Sequence, residues 1–163
     1  MTGIGFLARY KAAIFDLDGT LMDSEPAWEK AKRIVADRYG LRPTQAQLDA
    51  TVGRSLDDFL AEVFGTRNHD EMLARREEIF VEADRLLPGM RVPVPGAADF
   101  LRAVAAAGLR VAICSSSARR HIEGAVRELG VTAEVSLIVS AAELARGKPD
   151  PMPYRVSVER LGL

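Results

Sequence analysis

The sequence predicts an α/β protein in which a parallel sheet is interrupted by a long helical insertion. Two observations favour this fold class. From residue 97 onward, short apolar runs suited to buried strands alternate with helical patterns, which is typical of a parallel sheet. Residues 24–88 carry helical patterns and no strand pattern. An apolar run before the insertion, residues 12–15, supplies the first strand.

The insertion is predicted to contain four helices, each marked by apolar residues at helical spacing. Ser24 is a suitable cap for the first, and Pro26 is suited to its opening turn. The predicted helices run from Ser24 to Gly40, over about residues 44–50, from Ser55 onward, and over about residues 70–87.

Three prolines and two glycines between Leu87 and Gly96 mark a connector that ends the insertion. Beyond it, Ser140 and Glu143 have the spacing of a capping box and predict a short helix. The other predicted elements are a helix at about residues 97–107, a strand at 109–114, a helix after the serine run and ending at Gly130, a strand at 135–139, and a last helix at about 152–161.

The outer segments, residues 1–23 and 91–163, are therefore expected to form one α/β core, with residues 24–90 as a helical cap. The insertion leaves the core directly after a turn that bears two carboxylates, so it is expected to lie over the carboxyl ends of the strands. Ligands of open α/β sheets bind at that edge. A helical lobe in that position is suited to act as a lid.

Composition excludes several classes of function. The 22 basic and 23 acidic residues are mixed along the chain, so no electrostatic feature favours nucleic acid or an anionic membrane. No apolar run has the length of a membrane span, and residues 1–13 lack the apolar stretch of a secretory signal. The single cysteine, Cys114, excludes an internal disulfide. We expect a soluble, cytoplasmic protein.

The strongest chemical signal is a pair of carboxylates after the first strand. Asp16 and Asp18 are two residues apart, so an extended backbone through Asp18 directs both side chains to one side. Gly19 then permits a sharp turn. Two carboxylates at the end of a buried strand repel each other and lose hydration. A cation or strong hydrogen-bond donors are therefore expected beside them.

Two further features are expected at the same edge of the sheet. The run Ser115–Ser117 follows a predicted strand, and Lys148 precedes the last helix. Taken singly, the serines are typical of a helix cap and the lysine of a solvated loop. Together they add anion-binding donors and a cation to a carboxylate nucleophile, which is what phosphoryl transfer requires. The combination indicates a phosphate ligand.

These motifs resemble those of the haloacid dehalogenase-like hydrolase superfamily, in the subgroup similar to beta-phosphoglucomutase and to sugar-phosphate phosphatases with a helical cap. Residues 16–21 (DLDGTL) match its first motif, Ser115 within ICSSS its second, and Lys148 within GKPDP its third. The resemblance extends over essentially the whole chain. It implies a Rossmann-like parallel sheet core with an inserted all-helical cap domain.

The resemblance also implies an aspartyl-phosphate mechanism. Asp16 attacks phosphorus, and Asp18 protonates the leaving alkoxide and then activates the water that hydrolyses the intermediate. Mg²⁺ is the expected cofactor, held by the Asp16 carboxylate and the Asp18 backbone carbonyl. The substrate-binding residues so implied are Gly19, Ser115, the amide of Ser116 and Lys148 for the phosphate, with Trp28 and Arg54 of the cap for the rest of the substrate.

The sequence departs from the family pattern at two places. Trp28 stands where beta-phosphoglucomutase-like members carry a histidine, and an indole cannot act as an acid or base, so hydrolysis is favoured over mutase chemistry. A fourth motif, an acidic pair on a further strand, has no match after residue 161. We therefore expect a fragment of a longer phosphatase, with little activity alone and an apolar sheet edge prone to self-association.

Three alternatives stay open. A non-catalytic module completed by a partner or a second copy accounts for the missing motif, and a phosphomutase uses the same nucleophile. A phosphoaccepting signalling domain also combines an aspartate, a hydroxyl and a lysine, but the insertion after Asp18 disfavours it. The leading interpretation is a Mg²⁺-dependent phosphatase that acts on a small phosphorylated metabolite, with a sugar phosphate as the expected substrate.

Overall fold

The computed structural model describes residue 7, residues 9–52 and residues 55–163. The described residues form two compact units, one made of those up to Asp23 together with Val92–Leu163, the other of those in Ser24–Arg91. The strands are β1 (Ala12–Phe15), β2 (Met22–Asp23), β3 (Val92–Pro93), β4 (Arg110–Ser115) and β5 (Val135–Ser140). The helices are α1 (Glu25–Arg38), α2 (Gln45–Asp49), α3 (Leu56–Val63), α4 (His69–Met90), α5 (Ala97–Ala106), α6 (Arg119–Leu129) and α7 (Met152–Arg160).

The first unit is built on a three-stranded sheet with the strand order β1-β4-β5. Both pairings are parallel, with Ala12 opposite Arg110 and Ser115 opposite Ser140. β4 lies in the middle of the sheet, and all its residues after Arg110 are buried, as expected for a strand covered on both faces. The predicted α/β class with a parallel sheet is confirmed.

Helices α5 and α6 supply apolar side chains to the core of this unit. α5 contributes Leu101 and Val104, and α6 contributes Ile122 and Val126. These residues are three or four positions apart in each helix and therefore share one helical face. Gly130 ends α6 with φ 65°, a left-handed conformation that costs glycine little. The packed helices hold the strand ends from which the candidate site is built.

The second unit is helical in its described residues, and α1 packs mainly against α4. α1 buries Trp28 and Val35, and α4 buries Ile79 and Phe80, all on the apolar stripes that the sequence predicts. The rings of Trp28 and Phe80 meet edge to face with centroids 6.1 Å apart. In the ranges that the structure describes, no helix combines the length and the apolar character needed to cross a bilayer.

Side chains cap three of the four helices in this unit. In α2, Thr44 and Gln47 form a reciprocal capping box. Ser55 and Asn68 cap α3 and α4 by accepting hydrogen bonds from backbone N–H groups in the first turn. Ser24 stands at the predicted cap position of α1, but its side chain makes no capping hydrogen bond.

Helix α4 is longer than predicted, because it continues through Pro88 to Met90. A proline removes one hydrogen bond of a helix and was expected to open the connector. The apolar stripe of α4 remains buried as far as Leu87, and the N–H of Arg91 closes the last turn on the Leu87 carbonyl at 3.0 Å. Packing of the stripe therefore outweighs the bond lost at Pro88.

The antiparallel pair β2–β3 was not predicted. Met22 lies opposite Pro93 and Asp23 opposite Val92, so the two segments that flank the helical unit along the chain meet within the first unit. Two residues are too few to show the alternation by which a strand is recognised in sequence. The pairing depends on residues about 70 positions apart and is a property of the tertiary structure.

Candidate active site

The turn after β1 carries Asp16 and Asp18. β1 ends at Phe15, Asp18 forms an isolated β-bridge with Met22, and residues 19–21 make the turn. The N–H of Gly19, with φ 75°, donates to the Met22 carbonyl at 2.7 Å. This positive φ is the conformation for which glycine is suited. Both carboxylates consequently follow the carboxyl end of β1, at the edge of the sheet where the sequence places them.

Asp18 meets two hydroxyl groups from the segment after β4. Its Oδ2 accepts a hydrogen bond from Ser115 Oγ at 3.0 Å and another from Ser117 Oγ at 2.7 Å. Ser115 Oγ in turn accepts from the backbone N–H of Ser117 at 3.0 Å. Hydrogen bonds to a charged acceptor are roughly twice as strong as neutral ones. The serine segment therefore holds one oxygen of Asp18 in a defined position.

Asp16 is paired with Lys148. The Lys148 ammonium donates to Asp16 Oδ1 at 2.8 Å and to the Cys114 backbone carbonyl at 2.8 Å. Its Nζ also lies 5.3 Å from the centroid of the Tyr154 ring. Burial disfavours the charged amine, but the hydrogen bond and the charge of Asp16 outweigh it, so the pKa of Lys148 is raised. A permanent cation thus stands beside the proposed nucleophile.

The loop that carries Lys148 is held by the acid next to it. Asp150 Oδ1 accepts from the N–H of Met152 at 2.8 Å, at the start of α7. The other oxygen of Asp150 lies 3.2 Å from Arg146. Because both oxygens are engaged, Asp150 supports the loop rather than the site.

The predicted capping box at Ser140 and Glu143 is wrong. Residues Ala141–Glu143 form a single 3₁₀ turn, and Ser140 makes no capping bond. Its hydroxyl donates instead to the Ser117 backbone carbonyl at 2.7 Å, and Glu143 forms a two-point ion pair with Arg119. Tertiary partners have replaced the local ones that the spacing indicates.

Three of the four remaining predicted substrate residues lie within the described ranges. Ser116 lies between the two serines that hold Asp18 and is partly exposed, and Gly19 is exposed in the turn. Trp28 is buried in the helical unit against Phe80. Arg54 lies outside the described residues. The roles of these four residues stay predictions.

The donor chemistry of Asp16 and Asp18 suits a hard divalent cation. Mg²⁺ prefers oxygen ligands and is commonly bound through one or two carboxylates, with water and substrate phosphate completing its shell. Within the described ranges, no group of three or more His, Cys, Asp or Glu residues is placed to hold a metal ion. The two aspartates suit a Mg²⁺ site in which water and substrate oxygens supply the remaining ligands.

Two polar residues of the site were not singled out from the sequence. Ser117 was recognised as part of the serine run but not assigned a role, and Ser140 was interpreted as a cap. Both are buried, at 6% and 1% exposure respectively. Buried hydroxyls require partners, so their burial is the signal that identifies them, and burial follows from strand register rather than from local pattern.

A comparison with protein families matches residues 10–163 to the haloacid dehalogenase-like hydrolase model. Among characterised proteins, the chain is 30% identical to validoxylamine A 7'-phosphate phosphatase from Streptomyces hygroscopicus subsp. limoneus, with 94% of this chain and 72% of that protein covered. It is 29% identical to the phosphorylated carbohydrates phosphatase of Thermotoga maritima, with 94% and 71% covered.

Solved structures give the same picture of the fold. A haloacid dehalogenase-like hydrolase from Bacteroides fragilis superposes with a TM-score of 0.86 at 25% identity, covering 94% of this chain and 73% of that one. A beta-phosphoglucomutase from Clostridium difficile superposes with a TM-score of 0.79 at 23% identity, covering 94% and 71%. The second likeness concerns the fold alone.

Proposed function

The chain belongs to the haloacid dehalogenase-like hydrolase family, and we propose that it hydrolyses the phosphate ester of a small phosphorylated carbohydrate through an aspartyl phosphate. The membership and the enzyme class, a phosphoric monoester hydrolase, were both predicted from the sequence motifs and are confirmed. The observation that carries the proposal is the pairing of Lys148 Nζ with Asp16 Oδ1 at 2.8 Å, beside the hydroxyls that hold Asp18.

The substrate class is proposed from the relatives. One acts on validoxylamine A 7'-phosphate and another on phosphorylated carbohydrates, as their names state. A third, the N-acetylmuramic acid 6-phosphate phosphatase of Pseudomonas aeruginosa, is 27% identical. All three names describe phosphate esters of carbohydrates or of compounds similar to them. A sugar phosphate is therefore the substrate class to test first.

Asp16 is proposed as the nucleophile. Its Oδ1 accepts the Lys148 hydrogen bond, and its side chain is 42% exposed, which leaves the carboxylate accessible to a substrate. In the first step a bond forms between an Asp16 oxygen and phosphorus while the ester P–O bond breaks. In the second step water attacks phosphorus, inorganic phosphate leaves, and the Asp16 carboxylate is restored.

Asp18 is proposed to move the proton in both steps. It gives a proton to the leaving alkoxide in the first step and takes one from the attacking water in the second. These two transfers balance, so Asp18 ends the cycle in its starting state. The carboxylate lies two residues from the nucleophile and is fixed by two hydroxyls, which supports the assignment.

The phosphate oxygens are proposed to be bound by Ser115, the backbone amide of Ser116, Gly19 and Lys148. Lys148 has three N–H groups, and two of them donate to Asp16 and Cys114. A third donor is thus available for a phosphate oxygen. Bound Mg²⁺, held by Asp16 and by the Asp18 backbone carbonyl, would supply positive charge that offsets the repulsion between the carboxylate and the substrate anion.

The helical unit is proposed to act as a cap that selects the substrate, through Trp28 and Arg54. Trp28 supports hydrolysis over phosphoryl transfer between sugars, because its indole has no proton to exchange as an acid or base near neutral pH. The likeness to a beta-phosphoglucomutase concerns the fold and does not favour mutase chemistry.

Asp16→Asn tests the nucleophile. The amide keeps the size of the side chain but cannot form the aspartyl phosphate, so we expect turnover of 4-nitrophenyl phosphate with Mg²⁺ to fall to background. Thermal unfolding followed by circular dichroism checks that the fold persists. The matched control is Asp99→Asn, because Asp99 is in the same unit and pairs only with exposed Arg102 among the described residues. Retained turnover by Asp16→Asn would refute the proposal.

A further inference from the structure

We propose that Ser117 is a positioning residue that holds the Asp18 carboxylate while Ser115 turns to the phosphate, and that Ser140 holds Ser117 in place for this purpose. The inference rests on the proposed function, because it concerns how Asp18 is kept aligned for proton transfer. It assigns separate tasks to two serines that donate to the same oxygen, Asp18 Oδ2.

The Ser115 hydroxyl cannot serve two acceptors at once. A serine hydroxyl has one proton to donate. In this structure Ser115 Oγ donates to Asp18 Oδ2, while its oxygen accepts from the N–H of Ser117. Ser115 therefore cannot donate to a phosphate oxygen and to Asp18 at once. If its proton goes to a phosphate oxygen, as proposed, Ser115 no longer donates to Asp18.

After that exchange, Ser117 still donates to Asp18. Ser117 Oγ donates to Oδ2 at 2.7 Å, the shorter of the two hydroxyl contacts. Ser117 is 6% exposed, so water competes poorly for this bond. Ser117 is thus the hydroxyl that keeps Asp18 aligned when Ser115 is occupied.

Ser117 is itself held in place by Ser140. Its backbone carbonyl accepts from Ser140 Oγ at 2.7 Å, and Ser140 is 1% exposed at the carboxyl end of β5. Ser115 and Ser140 are opposite each other in the parallel register of β4 and β5. The bond therefore ties the turn after β4 to the neighbouring strand. Ser140 therefore positions Ser117, and Ser117 in turn positions Asp18.

This arrangement has a kinetic signature that a purely structural role lacks. The acid is needed most when the leaving group is a poor one, because an alkoxide must be protonated as it departs. A 4-nitrophenolate leaves readily without a proton. Misalignment of Asp18 should thus lower kcat/KM for an alkyl phosphate, such as a hexose 6-phosphate, more than kcat/KM for 4-nitrophenyl phosphate.

The central variant is Ser117→Ala, measured on both substrates with Mg²⁺. Hydrogen bonds to charged groups contribute enough that we expect kcat/KM for the alkyl phosphate to fall about tenfold or more, against about threefold or less for the aryl phosphate. Ser117→Thr keeps a hydroxyl and should recover most of the difference between the two substrates. An equal loss on both substrates, or no loss, would overturn the proposal.

Ser157→Ala is the matched control. Ser157 is a fully buried serine in the same unit whose hydroxyl donates to the Pro153 carbonyl at 2.7 Å. Its loss should lower thermal stability to a similar extent without altering the ratio of kcat/KM between the substrates. Ser140→Ala serves if Ser117→Ala folds poorly, since it leaves the Ser117 side chain intact. It should change the ratio in the same direction as Ser117→Ala.

A binding measurement separates the two serines without turnover. Calorimetric titration with inorganic phosphate and Mg²⁺ should show weaker binding to Ser115→Ala, and binding within about twofold of the parent for Ser117→Ala. Equal weakening by both variants would make Ser117 a phosphate ligand and would overturn its positioning role. The proposed function fails separately, if Asp16→Asn retains turnover, so the two failures are distinguishable.

Discussion

Lys148 shows at the scale of one residue how the site balances its charges. Its side chain is 14% exposed, and a buried ammonium without a partner would lose its charge or destabilise the fold. The hydrogen bond and charge of Asp16 outweigh this burial and raise the Lys148 pKa. The lysine therefore stays charged at neutral pH and lowers the repulsion that Asp16 presents to a phosphate dianion.

Lys148→Met should abolish most of the activity. Removal of one preorganised donor at a site of charge development costs about 10²- to 10³-fold in kcat. We expect a loss of that order for 4-nitrophenyl phosphate in steady-state kinetics. The control is Lys11→Met, which removes an exposed lysine from the same unit. A loss of less than about tenfold by Lys148→Met would contradict its proposed role.

At the scale of one element, helix α1 contains a buried lysine in addition to Lys148. Lys32 is 7% exposed on the buried face of the helix, and its Nζ lies 5.4 Å from the centroid of the Phe59 ring. No carboxylate among the described residues forms an ion pair with it. Burial is the main cause that lowers its pKa, with the charges of Glu25 and Glu29 acting in the opposite direction. The ring attraction offsets only part of the desolvation.

Lys32→Met should stabilise the protein at neutral pH by about 1–2 kcal/mol, because it replaces a desolvated charge with an apolar chain of similar length. The lysine pKa is lower in the folded state than its ordinary value of 10.5, so the penalty is complete below the folded pKa. It fades as the pH rises towards 10.5. Urea unfolding at pH 7 and at pH 10 should therefore show a smaller difference at pH 10.

The control for this variant is Lys30→Met, which changes an exposed lysine of the same helix. It should alter the free energy of unfolding by less than about 0.5 kcal/mol at either pH. Destabilisation by Lys32→Met would show that the interaction with Phe59 exceeds the cost of burying the charge.

At the scale of the whole molecule, β1, the strand that precedes Asp16 and Asp18, lies at an edge of the sheet. In the part of the chain that the structure describes, β1 pairs with β4 and with no other strand. Its residues, Ala12–Phe15, are apolar and only partly buried. Edge strands of this kind present unpaired backbone groups that attract another strand. The self-association expected from the sequence stays a prediction.

Sedimentation velocity over a range of protein concentrations tests this prediction. We expect the average mass to rise with concentration, and Ala12→Lys to reduce that rise, because a lysine on an edge strand opposes strand pairing. Ala107→Lys adds the same charge at an exposed position in the same unit and should have no such effect. A mass that is independent of concentration would exclude association through β1.

Local sequence patterns predicted most of the fold because they depend on interactions between residues that are close along the chain. The stripes of α1 and α4, the capping residue Ser55, and the apolar run of β4 each act within a few residues. The errors at the end of α4 and at Ser140 have the same origin. In each case packing or a distant partner outweighed the preference of the local sequence.

In the candidate site, too, local sequence and long-range pairing decide different features. The sequence by itself determined which residues are proposed to carry the chemistry, because DLDGTL, the serine run and Lys148 each stand next to a recognisable strand or helix end. Only the tertiary structure decided which donor meets which oxygen. Ser117, Ser115 and Lys148 reach their aspartates across 99, 97 and 132 residues. Such pairings depend on sheet register and turn geometry, which no local pattern specifies.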